Sequence, residues 1–166
     1  MSTLVRGRVW KFGDSIPTDF IAPGFALALP WEQRKKHILY VHKAFTEQCQ
    51  RGDVIVAGAN FGCGSAREEA PADLKQLGIG CVVAESFARI FFRNCIAVGF
   101  PVMACKGVSS IFNEGEEIEL DFENAQIRNL TSGKELKAPP LAPDLINIIK
   151  GGGILEQLKA EKKAKV

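Results

Sequence analysis

The chain has little with which to build a metal centre. Its 166 residues include two histidines, His37 and His42, and five cysteines with no C-x-x-C pair among them. The cysteines Cys49, Cys63, Cys81, Cys95 and Cys105 are separated by 14, 18, 14 and 10 positions. Neither a zinc ribbon nor a complete iron–sulfur motif can be read from that spacing. An excess of one charge is also missing, since 21 Lys and Arg face 19 Asp and Glu, leaving +2. There is therefore no basic field to support nucleic-acid binding. Apolar runs break well short of a membrane span, and the opening MSTLVRGRVW lacks the apolar core of a signal sequence. An odd number of thiols without such a leader fits a reducing cytoplasm, where most of them serve as small buried hydrophobes.

What remains is an ordinary globular composition, 46% hydrophobic and 24% charged. With no internal repeat and no long linker, residues 1–166 read as a single domain that needs no disulfide or metal staple. Along the chain, Val5–Phe12 reads as a strand closed by Gly13-Asp14, and Ile16–Pro23, with Pro17 and Pro23, as extended loop. Gly24–Pro30 (GFALALP) is a strand if it lies in the core, or an apolar loop that wants a partner or ligand if exposed. Trp31–Cys49 reads as one helix with Arg34, Lys35 and Lys36 on a solvated face. Val54–Gly58, Gly80–Glu85 and Val102–Cys105 read as buried strands, separated by helices over Arg67–Leu77 and from a Ser86 cap to Val98. That order implies parallel pairing through helical crossovers. Glu116–Phe122, Gln126–Leu130 and Glu135–Lys137 suit an antiparallel meander with turns at Asn124-Ala125 and Ser132-Gly133. A helix over Pro143–Lys150 is followed by Ile154–Lys159 and a charged tail, 159–166, expected to fray.

The most informative stretch is GANFGCGSARE, Gly58–Glu68. Gly58, Gly62 and Gly64 permit a tight backbone path on which several N–H groups converge, and a helix starting just beyond would add its positive end. Ser65 and Arg67 place a hydroxyl and a guanidinium beside that nest. The stretch has no Walker lysine, fails G-x-G-x-x-G, and fails the serine-hydrolase elbow because Ala66-Arg67 follows Ser65. A carboxylate-binding site is the chemistry these residues suggest. The plainer alternative for Ser65 is a helix N-cap.

Three motifs, GDSIPTDFIAPG, NFGCGSAREEAP and ESFARIFFRN, occur in an order and spacing that resemble the small subunit of 3-isopropylmalate dehydratase. That family is similar to the swivelling domain of aconitase, and the resemblance spans Val5 to Leu158. It implies a β/β/α three-layer fold, mostly parallel in its sheet, with a C-terminal antiparallel meander. It implies no cofactor in this chain, and a separate large subunit that carries a [4Fe–4S] cluster. The reaction implied is dehydration and rehydration of a malate-type hydroxy acid, here 2- and 3-isopropylmalate in leucine biosynthesis. By resemblance Ser65 is the base that takes a proton from carbon, and Arg67 binds a substrate carboxylate. Gly64 and Ala66 contribute backbone beside them, and Thr18, Asp19 and Asn60 stand behind as positioning groups. Ser86, Arg89, Arg93 and Asn94 read as orienting and capping their helix.

The family pattern GSSREHAP is not fully kept, since Ala66 replaces the second serine and Glu69 the histidine. The resemblance also places the substrate-recognition loop on Phe25, Ala26, Leu27, Ala28 and Leu29. Relatives acting on tricarboxylates are expected to carry an arginine where Ala28 stands. A distal carboxylate would be desolvated there without a partner, so an alkyl-substituted malate is expected. Dimethylmalate and citramalate are alternatives to isopropylmalate, because one methylene changes selectivity by only ~1–3 kcal/mol. A rival of another class is a non-catalytic carboxylate-binding module. Neither a nucleic acid nor a membrane is expected as a partner.

Overall fold

A computed structural model describes residues 3–166. Its frame is one seven-stranded sheet in the order β4-β3-β2-β1-β5-β6-β7. Strand β1, Leu4–Lys11, pairs in parallel with β2, Val54–Ala57, through Val9↔Val54 to Lys11↔Val56. Its first half pairs instead with β5, Glu117–Asp121, in the antiparallel sense from Leu4↔Asp121 to Arg8↔Glu117. Strands β3 (Cys81–Ala84) and β4 (Val102–Ala104) extend the parallel half. Strands β6 (Gln126–Asn129) and β7 (Glu135–Lys137) extend the antiparallel half. Both meander turns fall where expected, with Ala125 and Gly133 at positive φ.

Two cores explain the layering. Val54 and Val56 of β2, and Cys81 and Val83 of β3, pack with Ile118, Leu120 and Ile127 of the antiparallel half. The alternate residues Ile55, Ala57, Val82 and Ala84 pack with Phe91, Cys95 and Leu74 on the helical side. Every residue of β2 and β3 is buried, as a strand covered on both faces must be. The result is the β/β/α arrangement. The helical layer holds α4 (Glu69–Leu77), α5 (Arg89–Val98) and α7 (Pro143–Lys150), each on a segment read as helical from the sequence. Helix α4 stops at Gly78, whose φ of 95° ends it in the left-handed conformation.

Several expectations are corrected. Ile16–Pro23 contains a one-turn helix, α1 (Thr18–Ile21), because Pro17 supplies the extended residue before it and Ala22 N–H closes on the Thr18 carbonyl. Gly24–Pro30 is neither strand nor plain loop; it holds a 3-10 turn over Gly24–Ala26. Trp31–Cys49 is not one helix. It divides into α2 (Trp31–Arg34), a 3-10 turn at Lys35–His37, and α3 (Lys43–Gln48). Leu39 breaks it: its φ is +53°, its side chain is fully buried, and its N–H donates to the Phe20 carbonyl at 2.8 Å. A short helix at Val108–Ile111, α6, has no counterpart in the sequence reading. The charged tail continues the final helix, α8 (Ile154–Ala164), and is exposed along its length.

Asp53 ties the start of β2 to β1. It is 5% exposed and accepts from Trp10 Nε1 at 2.7 Å, Gln50 N at 2.8 Å and Arg8 Nη2 at 3.3 Å. Asp53→Ala would leave the indole and amide donors buried without acceptors. We expect a loss of about 2–4 kcal/mol in urea unfolding, and a smaller loss for Asp53→Asn, which keeps one acceptor oxygen.

Candidate active site

The carboxyl ends of parallel strands are where α/β sheets place ligands. Here β1, β2 and β3 release three loops side by side at that end. The middle one, Gly58–Ser65, is hydrogen-bonded along both edges. On one side Ala59 N–H donates to Asp14 Oδ1 at 2.7 Å, Gly62 N–H to the Ile16 carbonyl at 2.8 Å, and Thr18 N–H to the Cys63 carbonyl at 2.9 Å. On the other, Phe61 N–H donates to the Ser86 carbonyl at 3.1 Å and Ala88 N–H to the Phe61 carbonyl at 2.9 Å. Gly62 is required twice over, since its φ is +83° and a Cβ there would overlap the Phe91 ring.

The loop delivers Ser65 to the surface. Its hydroxyl makes no hydrogen bond to any described residue, and α4 begins only at Glu69 with Glu68 at its cap. Ser65 is therefore not a helix N-cap. Its position is fixed through the backbone, because buried Thr18 donates Oγ1–H to the Ser65 carbonyl at 2.8 Å. The N–H groups of Gly64, Ser65 and Ala66 have no acceptor among the described residues. Gly62, expected as part of this nest, has its N–H committed to Ile16.

Arg67 is folded back against the first loop. Its Nη1 donates at 2.8 Å to both Asp19 Oδ1 and the Ala22 carbonyl. Its Nη2 lies along Gly24, where a Cβ would come within 3.4 Å. Asp19 also accepts from Gly24 N–H at 3.3 Å. The hydrogen bond from Arg67, with that of Gly24 behind it, holds the Asp19 carboxyl below its usual range. The α1 segment thus holds both positions, Thr18 through the Ser65 carbonyl and Asp19 through the Arg67 guanidinium. The Ala22 carbonyl was missed, since no side chain marks a backbone acceptor.

Other predicted residues need amendment. Ser86 does not cap α5, whose first residue is Arg89 with Ala88 at the cap. Its Oγ accepts from Asn60 N–H at 2.8 Å and so braces the glycine-rich loop. Asn60 is exposed, with φ of +57°, and its backbone rather than its side chain does the positioning. Arg89, Arg93 and Asn94 make no cap contact; they lie along a groove of about 800 Å³ between α5, α7 and α8 that none of the predicted site residues line. In the apolar loop Phe25 is 66% exposed and Ala28 is exposed, with Leu29 half-buried. Ala26 is completely buried and Leu27 packs on the core, so their side chains form the loop's floor.

The cysteines give no donor set for a cluster. Cys81, Cys95 and Cys105 are buried, and burial pushes the Cys81 and Cys95 thiols well above their ordinary range. No group of three or more His, Cys, Asp or Glu side chains among the described residues is arranged to hold a metal. No helix among them is long and apolar enough to cross a membrane.

A β/β/α domain that presents a serine and an arginine on a glycine-rich turn at its parallel strand ends is of the aconitase type. In keeping with this, residues 31–104 match the Aconitase C-terminal domain family. A 3-isopropylmalate dehydratase small subunit of Thermotoga maritima is 50% identical over 159 residues, covering 94% of this chain and 95% of that one. An isopropylmalate/citramalate isomerase small subunit of Methanocaldococcus jannaschii is 46% identical, covering 96% of each. A crystal structure of 3-isopropylmalate dehydratase from the same organism aligns with a TM-score of 0.90 at 35% identity, covering 98% of this chain and 97% of its own. The chain belongs to the 3-isopropylmalate dehydratase small-subunit family.

Two outcomes test the geometry. Thr18→Val, which keeps shape but loses the bond to the Ser65 carbonyl, should cost about 1 kcal/mol in thermal unfolding and speed amide exchange at Ser65 and Ala66. Because the folded Asp19 carboxyl is held below its ordinary range, the stability its pairing with Arg67 contributes is present above that ordinary range and is lost as pH falls through the lower folded value. An NMR titration of Asp19 should therefore be flat from pH 5 to 8, and Arg67→Ala should raise its midpoint.

Proposed function

We propose that the chain is the small subunit of a two-subunit hydro-lyase that interconverts 2- and 3-isopropylmalate in leucine biosynthesis, and that it works only with its large subunit. The observation that carries the reading is the pairing of an unbonded, exposed Ser65 hydroxyl with an Arg67 whose Nε and Nη2 make no hydrogen bond to the described residues. On this reading a [4Fe–4S] cluster belongs to the large subunit, where it would supply Lewis-acid help to the departing hydroxyl; the described residues of this chain do not fit one.

On this chain, Arg67 takes a substrate carboxylate through its unengaged edge, while Asp19 and Ala22 hold the guanidinium in place. Ser65, as its alkoxide, takes the proton from carbon while the hydroxyl leaves and is protonated to water by a proton drawn from solvent, giving an unsaturated dicarboxylate, water and a neutral Ser65 hydroxyl. Rehydration with the opposite placement returns that proton and moves the hydroxyl. A serine alkoxide is a poor match to neutral pH unless stabilised; on this reading the Gly64–Ala66 N–H groups, which have no acceptor among the described residues, and the charge of Arg67 supply that stabilisation. The alkyl group falls to Phe25, Ala28 and Leu29, which offer no cation for a third carboxylate. The name of the Methanocaldococcus jannaschii relative makes citramalate the second substrate to try.

Anaerobic reconstitution with the large subunit, followed by absorbance of the unsaturated intermediate, tests the reading. Turnover of isopropylmalate is expected only with both subunits present. Ser65→Ala should lower it at least ~10²-fold with the complex intact, whereas Arg67→Lys should act mainly on KM. Ala28→Arg should shift preference toward a substrate with a third carboxylate. Loss of complex formation in Ser65→Ala would assign the serine a structural role instead.

A further inference from the structure

Arg34 was expected on a solvated helix face, and the fold puts it elsewhere. Its side chain is 23% exposed and its guanidinium lies 5.4 Å from the centre of the Trp31 ring. Nη2 stands 3.0 Å from Asp73 Oδ1, and Nη1 donates to the Leu27 carbonyl at 3.4 Å. Asp73 is 2% exposed and belongs to α4, the helix that leads away from Arg67. The pair is incompletely satisfied, because Arg34 Nε and Asp73 Oδ2 are both buried without a partner. Burial raises the Asp73 carboxyl despite Arg34, and Glu69 one turn earlier on α4 pushes it the same way.

Such a pair adds little to stability, since well-packed apolar side chains of similar volume often serve a core as well or better. What it does supply is a link. Leu27 is the residue before Ala28, so Arg34 joins the carbonyl beside the alkyl-facing position to the helix that follows Arg67. The guanidinium gives each acceptor a separate nitrogen of one rigid plane, a fixed geometry that the point charge of an ammonium does not reproduce.

We infer that Arg34 and Asp73 are positioning residues that fix the Leu27–Leu29 segment relative to Arg67, and so set the fit of the substrate's alkyl group. The inference rests on the proposed role of the apolar loop. It assigns a specificity function to two residues that touch neither substrate nor Ser65.

The test compares wild type with Arg34→Lys and with the double variant Arg34→Met/Asp73→Leu, which removes both buried charges and keeps volume. Thermal unfolding first establishes that each variant is folded. In the free subunit, amide exchange at Leu27 and Leu29, which close on Gly24 and Ala26, should quicken about tenfold in both variants. In the reconstituted complex, KM for isopropylmalate should rise about tenfold with kcat within about twofold, and the preference over citramalate should narrow. Unchanged exchange together with wild-type KM and selectivity in a folded double variant would overturn the inference and leave the pair as core packing. If the wild-type complex converts neither substrate, the functional reading fails, and the exchange rates then decide whether the strut exists.

Discussion

Strand β1 is paired in opposite senses along its length, parallel to β2 at its end and antiparallel to β5 at its start. The antiparallel half therefore comes to lie over one face of the parallel half, and Val54, Val56, Cys81 and Val83 are sealed against Ile118, Leu120 and Ile127. With one face closed in this way, all helices that cross between parallel strands must pack on the other. The carboxyl ends of β1, β2 and β3 are then forced to one edge. Gly13–Thr18, Gly58–Ser65 and Glu85–Ala88 leave those ends as neighbours and hydrogen-bond to one another. The candidate site is a consequence of that adjacency.

The same geometry accounts for the site's open character. Ser65 is held by its backbone and not by its side chain, so its hydroxyl is placed but unspent. Arg67 is restrained on one edge by Asp19 and Ala22, and that restraint reduces the side-chain entropy lost when the other edge engages an anion. Asp19 offsets part of the arginine's charge without enclosing it, being itself 59% exposed. Phe25 and Ala28 face outward beside this pair while Ala26 anchors the turn beneath them.

Local signals carried much of this in advance. Continuous apolar quartets over Val54–Ala57 and Cys81–Ala84 announced strands buried on both faces, and the alternating EEIELDF announced one with two unlike faces. Gly78, just past Leu77, ended its helix as a glycine at that position should. Reading failed where a distant partner overruled local preference. Trp31–Cys49 has helical composition, but the bond from Leu39 to Phe20 turns the chain inward and exceeds what propensity contributes per residue. Ser86 has the right side chain for a cap, yet Asn60 recruits it from 26 positions away. Arg34 sits in a basic run that looks solvated until Asp73 is brought beneath it.

The sequence by itself determined the order of elements, the glycines that permit the turn, and the hydroxyl and guanidinium that Ser65 and Arg67 bring to the candidate site. These follow from short-range rules: backbone sterics, side-chain periodicity, and which functional groups the motif contains. Tertiary structure alone decided what each group was free to do. Whether Ser65 caps a helix or keeps an unbonded hydroxyl depends on where α4 starts, and that depends on how the turn is pinned to Asp14, Ile16 and Thr18. Which edge of Arg67 stays open depends on a carboxylate and a carbonyl more than 40 residues earlier in the chain. Hydrogen bonds and burial act over a few ångströms of space, and only the folded chain brings such separated residues within that range.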